Sequence, residues 1–130
     1  MSTLVLDTTV LIDALRGRPA AARLRDLAAR REVLLTTAIN VEEIVRGLRP
    51  GEHAAADALF TAIRVLPVRE HDARRAGLWR REHAARGVTL HQADCLIGAV
   101  TAGIGARLAT GNAKDFPMPE VPVEEWPPGS

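Results

Sequence analysis

The chain opens on a block of apolar residues broken by an acid. Leu4, Val5 and Leu6 predict a buried strand, Asp7 ends it, and a second apolar run from Val10 to Ile12 follows at once. Asp7-Thr8-Thr9 leads into a short helix that Gly17, Arg18 and Pro19 should stop. Residues 20–31 carry Leu24 and Leu27 on one helical face, and Val33-Leu34-Leu35 predicts the next strand. In "TTAINVEEIVRGL", Thr36 or Thr37 can cap a helix whose Val41, Ile44, Val45 and Leu48 recur at i, i+3, i+4 and i+7, with Arg49-Pro50-Gly51 as its end. A helix from His53 to Ile63 precedes "RVLPV", a short strand in which Pro67 marks an end or an edge. A long helix spans Glu70 to about Gly87. Thr89, three residues before Gln92, has capping-box spacing for an almost wholly apolar helix, which must therefore be central. "ARLAT" and "VPVEEW" predict two last strands, and the Pro-rich tail is expected to fray.

Short apolar strands alternating with helices predict one α/β domain over residues 1–130, with a short, mostly parallel sheet between two helical layers. In such sheets ligands bind beyond the carboxyl ends of the strands, near a switch in strand order. Asp7 sits at one of those ends.

Composition narrows the function classes. No apolar segment approaches the roughly 20 residues of a membrane span, and no basic, then hydrophobic, leader opens the sequence, so a soluble cytoplasmic protein is expected. The single cysteine, Cys95, lies in an apolar helix and allows neither a disulfide framework nor a thiolate zinc site. His53, His71, His83 and His91 show no ligand pairing. The formal charge is +1, and if four carboxylates are sequestered in one cleft the remaining surface carries +5, enough to attract a polyanion. Every basic residue but Lys114 is arginine. Arginine suits phosphate contacts, and a codon bias toward Arg and Ala accounts for the same fact.

Four acids occupy unusual settings. Asp7 follows a strand, Glu43 lies in an apolar helical turn, Asp94 interrupts the most hydrophobic helix, and Asp115 follows the strand "ARLAT". Singly, a helix cap, a solvated position beside Glu42, a favourable helix dipole or a turn accounts for each. Asp94 resists that treatment: its neighbours at i±3 and i±4 are Leu90, His91, Ile97 and Gly98, and a buried charge needs a partner. Convergence of all four at the sheet edge would set carboxylates roughly 5 Å apart in mutual repulsion of about 3 kcal/mol per pair. A cation relieves that repulsion, and hard oxygen ligands select Mg²⁺ or Mn²⁺.

The blocks "LVLDTTVLIDALRG", "EIVRG", "LHQADCLIGAVTA" and "LATGNAKDF" come in an order and spacing that resemble the PIN-domain ribonucleases, in particular the VapC-type toxins of bacterial toxin–antitoxin pairs. The resemblance implies a metal-dependent endoribonuclease whose acids fall on Asp7, Glu43 and Asp94. It selects Glu43 over Glu42 by its spacing to Gly47, and it assigns the fourth position to Asp115 with Asn112 assisting. Thr8 and Thr110 are the supporting hydroxyls it implies, and Arg16, Arg46 and Lys114 the phosphate contacts. Gly111 stands where many relatives have Arg. Also implied are Mg²⁺ or Mn²⁺ as cofactor, RNA as substrate, a homodimer and a VapB-type antitoxin. With 3% aromatics and no Tyr, base stacking is a minor recognition device. Two other readings remain open: a PIN-like module without catalysis that binds RNA or protein, and a phosphoacceptor domain using Asp7 as nucleophile.

Overall fold

Alternation along the strands sets the layers. The computed structural model describes residues 2–129. In strand β1 (Thr3–Leu6), Leu4 and Leu6 face one side of the sheet and Val5 the other. β2 (Val33–Thr37) and β4 (Arg107–Thr110) repeat the pattern, with Leu35 and Leu108 sharing the side of Val5 and Ala109 that of Leu4. With β3 (Arg64–Leu66) and β5 (Val123–Glu125) they form one five-stranded, wholly parallel sheet of order β3-β2-β1-β4-β5. A parallel sheet requires cover on both faces. On one side, α1 (Thr8–Leu15) and α2 (Pro19–Ala29) supply Val10, Leu11 and Leu24, and α4 (His53–Ala62) lies with them. On the other, α5 (Glu70–Ala85) and α6 (Gln92–Gly103) supply Trp79, Cys95, Ile97 and Val100. This is the expected three-layer α/β/α arrangement, with β3 and its Pro67 at a sheet edge. Among the described residues no helix is long and apolar enough to cross a membrane.

From β1 the chain builds outward to β2 and β3, then returns past α5 and α6 to place β4 on the other side of β1. The reversal opens a crevice between the carboxyl ends of β1 and β4. Helix α3 (Ala38–Arg46) spans the rim of the sheet, not one face: Ile39 packs into the α5–α6 core and Ile44 into the opposite one. This explains two departures from the sequence pattern. The helix stops at Arg46, with Gly47 donating to the Glu43 and Ile44 carbonyls, before Arg49-Pro50-Gly51. And Val45, predicted to be on the buried stripe, is 49% exposed.

Two more expectations are corrected. Thr89 does not cap α6. The helix has not begun at Leu90, whose side chain is buried and whose carbonyl accepts from Arg80 Nε at 3.2 Å, and His91 takes the cap position. The strand end just before the Pro-rich tail is fixed, and the tail's described residues 127–129, though exposed, are anchored at Gly129. Trp126 is buried, its backbone N–H donates to the Thr110 carbonyl at 2.8 Å, and the Arg23 guanidinium lies 3.8 Å over its ring. Further on, the Gly129 N–H donates to Asp13 Oδ2 at 2.8 Å, while Asp13 Oδ1 pairs with Arg18. Asp13 is thus a structural residue. Trp126→Ala should lower unfolding free energy by about 3–5 kcal/mol, the range for removing a buried aromatic. Urea denaturation measures it, and a loss below about 1 kcal/mol would mean that the tail lies only loosely on the domain.

Candidate functional site

Asp7 lies at the crevice between β1 and β4, where the cost of burying a carboxylate must be met locally. It precedes α1 in the cap position, yet its side chain does not cap the helix. Instead Oδ1 accepts from Asn40 Nδ2 at 3.0 Å and Oδ2 from Thr110 Oγ1 at 2.6 Å. Asn40 is fully buried in the first turn of α3. Its Oδ1 accepts from the Thr37 hydroxyl at 2.7 Å, and its amide also donates to Thr8 Oγ1 at 3.0 Å. The Thr8 hydroxyl in turn donates to Glu43 Oε1 at 2.7 Å. One chain of hydrogen bonds therefore links the ends of β1, β2 and β4 to two carboxylates. Among the described residues no buried side-chain nitrogen or oxygen lacks a partner.

The four acids singled out from the sequence, Asp7, Glu43, Asp94 and Asp115, line one cleft of about 240 Å³. Thr8, Thr9 and Asn112 complete its walls, and Arg46 is its one cationic side chain. Glu43 and Glu42, which the helical wheel leaves equivalent, are separated by the structure: Glu43 faces the cleft, whereas Glu42 is exposed and lies 3.6 Å from Arg46. Asn112 and Asp115 both reach the cleft. The Asn112 N–H donates to Thr110 Oγ1 at 3.0 Å, and the Asp115 N–H to the Asn112 carbonyl at 3.0 Å, which closes the 3₁₀ turn Ala113–Asp115. Arg16 is not brought to this cleft; it pairs with Glu52 at 3.2 Å in a largely buried contact. Glu52 also accepts from the Arg49 N–H at 2.7 Å, so these bonds hold its carboxyl below the usual range. Lys114 borders a neighbouring cavity that shares Asp94 and Asp115.

Sequence reasoning missed Asn40, the residue joining the site together, and Thr9, whose Oγ1 accepts from the Gly111 N–H at 2.8 Å. Thr37 is legible from the sequence only as a helix cap, and it does cap α3, with Asn40 three residues on in a reciprocal capping box. An Asn at that spacing, where a strand turns into a helix beside an acid, was the available signal.

The electrostatics show a site with charge in excess. Burial raises the pKa of Asp7, the Glu43 charge raises it further, and the Thr110, Thr8 and Asn40 donors oppose the shift. Asp94 is pushed from 3.8 up to about 6, first by burial and then by Asp115, Asp7 and Glu43, with His91 opposing. Every donor lining the cleft is an oxygen except Arg46, a set suited to a hard divalent cation. Among the described residues no three acids already converge tightly enough to hold one ion as they stand. The carboxylates form separate walls of an open cleft.

The Asp94 shift has a definite sign. The folded chain keeps its proton to about pH 6 and the unfolded chain only to 3.8, so between those values the folded state binds more protons and loses stability as pH rises. Asp94→Asn, which mimics the protonated form, should raise the melting temperature in chelator at pH 7.5 by about 3 °C, equivalent to ~1 kcal/mol after discounting for partial exposure. The gain should shrink toward zero as pH falls to 4; a pH-independent gain would refute carboxylate ionisation as its cause. Asn40→Ala leaves Asp7, Thr8 and Thr37 each short of a partner and should destabilise by about 1–3 kcal/mol in urea titrations. A change under about 0.5 kcal/mol would mean that water replaces the amide without loss.

A model of the PIN domain matches residues 4–118. Over 115 residues the chain is 35% identical to Ribonuclease VapC19 of Mycobacterium tuberculosis, covering 88% of this chain and 92% of that protein. It is 32% identical to Ribonuclease VapC10 of the same organism, over 88% of this chain and 86% of the relative. Among solved structures, VapBC2 from Rickettsia felis, bound to a DNA fragment from its promoter, superposes with TM-score 0.84 at 19% identity, covering 95% of this chain and 98% of the other. FitAcB from Neisseria gonorrhoeae gives 0.72 at 25% identity, with 92% and 95% covered. The match across nearly the whole length and the shared fold lead to one conclusion: this chain belongs to the PIN domain family.

Proposed function

We propose that this protein is the toxin of a type II toxin–antitoxin pair, a Mg²⁺-dependent endoribonuclease that hydrolyses RNA phosphodiester bonds at the Asp7, Glu43, Asp94 and Asp115 cleft. The observation that carries the proposal is the convergence of four carboxylates from four parts of the chain at the β1–β4 crevice, where neutral donors orient Asp7 without neutralising it. Relatives named as ribonucleases at 35% and 32% identity support the same chemistry. Solved relatives described as VapBC complexes support a VapB-type antitoxin as partner. A homodimer and a cytoplasmic setting accompany the proposal as properties of such toxins.

Asp7 and Asp94 are the principal ligands for the ion, with Mn²⁺ as the alternative to Mg²⁺, and Glu43 and Asp115 complete the set. Bound there, a divalent cation lowers the pKa of water and offsets the negative charge that develops on the phosphodiester. The chain's own groups do the rest. Asn40 and Thr110 hold the Asp7 carboxylate in one orientation, and Thr8 does the same for Glu43. Asp94 carries a proton below about pH 6, so in that range ligand binding at this carboxylate must displace a proton and weakens as pH falls. Arg46 at the rim pairs only with the exposed Glu42 and can turn to a substrate phosphate, which makes binding salt-dependent. Hydrolysis leaves a 5′-phosphate and a 3′-hydroxyl with no covalent intermediate. A non-catalytic PIN-like module would have no use for four repelling acids in one cleft.

Purified protein with Mg²⁺ should cleave single-stranded RNA, chelation should abolish cleavage, and Asp7→Asn should reduce the rate by at least about 100-fold. Sequencing of RNA 5′ ends after brief expression provides the cellular version; identical ends from wild type and Asp7→Asn would remove the nuclease assignment. Separately, Mg²⁺ or Mn²⁺ should raise the melting temperature of the wild type, and less so for Asp94→Asn. Equal shifts in both proteins would move the ion away from Asp94.

A further inference from the structure

The acidic cleft does not end at Asp94 and Asp115. Both residues also wall a second cavity, of about 290 Å³, on the flank away from Arg46. Leu90, Val88 and Pro117 give it an apolar lining, and Thr89, His91 and Lys114 add polar groups. Gly87, at φ +78°, closes α5 in a helix-capping turn of the kind that also ends α1 and α6, and the Val88 N–H donates to the His83 carbonyl at 2.9 Å. Val88 is thereby held 44% exposed beside a polar cavity, while Leu90 is buried. Lys114, the only lysine in the sequence, is exposed and makes no ion pair or side-chain hydrogen bond among the described residues.

We propose that this cavity is a nucleotide subsite, receiving the base and ribose of the unpaired residue next to the scissile phosphate, with Lys114 contacting the phosphate beyond it. The proposal rests on the ribonuclease assignment and adds to it a place where sequence is read. A phosphate at the acids has cationic groups on both flanks, Arg46 in the first cavity and Lys114 in the second, so a polyanion can cross a negative centre. The volume lies at the lower end for small-molecule sites and fits one nucleotide, not a paired stem. No Phe, Tyr or Trp lines it, so the base lies against Val88 and Pro117, and Thr89 and His91 supply the hydrogen bonds that tell bases apart.

The test measures binding and cleavage separately. Anisotropy of a labelled single-stranded hexaribonucleotide in chelator should show at least about a 5-fold loss of affinity for Val88→Gln, which fills the cavity with a neutral side chain. For Lys114→Ala the slope of log affinity against log salt should fall by about 0.7, the value for one lost phosphate contact on a single strand. With Mg²⁺, sequencing of the cut ends should show Val88→Gln changing the base preference on one side of the scissile bond only. Wild-type binding, cleavage and base preference in Val88→Gln would overturn the subsite while leaving the ribonuclease assignment intact. RNA neither bound nor cut by the wild type would overturn both. If Val88→Gln also loses the metal-induced rise in melting temperature, Lys114→Ala decides, and an unchanged salt slope overturns the subsite.

Discussion

The structure depends on a buried carboxylate at the end of a central strand that is given hydrogen bonds but no counter-charge. Asp7 is held by an amide and a hydroxyl, Asn40 and Thr110, and both are neutral. An arginine in either place would satisfy the same oxygens and cancel the charge, leaving an ion pair with nothing further to attract. Neutral donors orient the carboxylate and leave its negative potential in the crevice. Burial and the charge of Asp115 do most to raise the pKa of Asp94, and the uncompensated charges of Asp7 and Glu43 add to the shift. Burial and like charge together disfavour ionisation of Asp94 in this site.

The sheet topology makes the arrangement possible. Only where the chain reverses its direction of building do two neighbouring strands send their following segments to opposite faces, and in this sheet those strands are β1 and β4. Asp7 leaves β1 toward α1, and Thr110 leaves β4 toward the 3₁₀ turn. α3 crosses the rim to bring Asn40 and Glu43 in from the side, and α6 presents Asp94 in its first turn. Because α3 packs into both cores at once, the positions of Asn40 and Glu43 are fixed by Ile39 and Ile44, so the site inherits its rigidity from the apolar layers.

Much of this was legible in the sequence because apolar runs, caps and breakers act locally. The order of strands and helices follows from them, and so does the oddity of each acid, since a carboxylate among Ala93, Cys95, Leu96 and Ile97 violates the pattern wherever the helix is placed. What escaped depends on tertiary placement. Asn40 reads as an ordinary first-turn helix residue until Asp7 stands beside it. Val45 belongs to a regular apolar stripe, but a helix lying on a rim has core on fewer sides than the stripe assumes. Arg16 reads as a free cation until Glu52, just ahead of α4, comes against it. Thr89 has the spacing of a cap, and burial of Leu90 overrides it.

The tail packs against one end of the acidic cleft, at the Gly111 position after β4. A side chain at Gly111 would begin with a Cβ 3.1 Å from Pro128 Cγ and 3.2 Å from both Thr9 Oγ1 and the Trp126 carbonyl. The close approach exists because Trp126 is anchored to the Thr110 carbonyl and under Arg23, and Gly129 to Asp13. The docked tail therefore crowds the end of β4, where a side chain fits only if its neighbours shift by a few tenths of an ångström. Any positive charge needed to hold a polyanion against the acids has to come from other elements, and the two that reach the connected cavities are Arg46 from α3 and Lys114 from the turn after β4. Many other arginines are already committed to internal contacts, Arg16 to Glu52, Arg18 to Asp13, and Arg23 and Arg107 to Glu124. The near-neutral total thus divides into a negative crevice and two bordering cations, Arg46 in a solvent-exposed pair with Glu42 and Lys114 exposed, so the surface is uneven in charge where its net charge is close to zero.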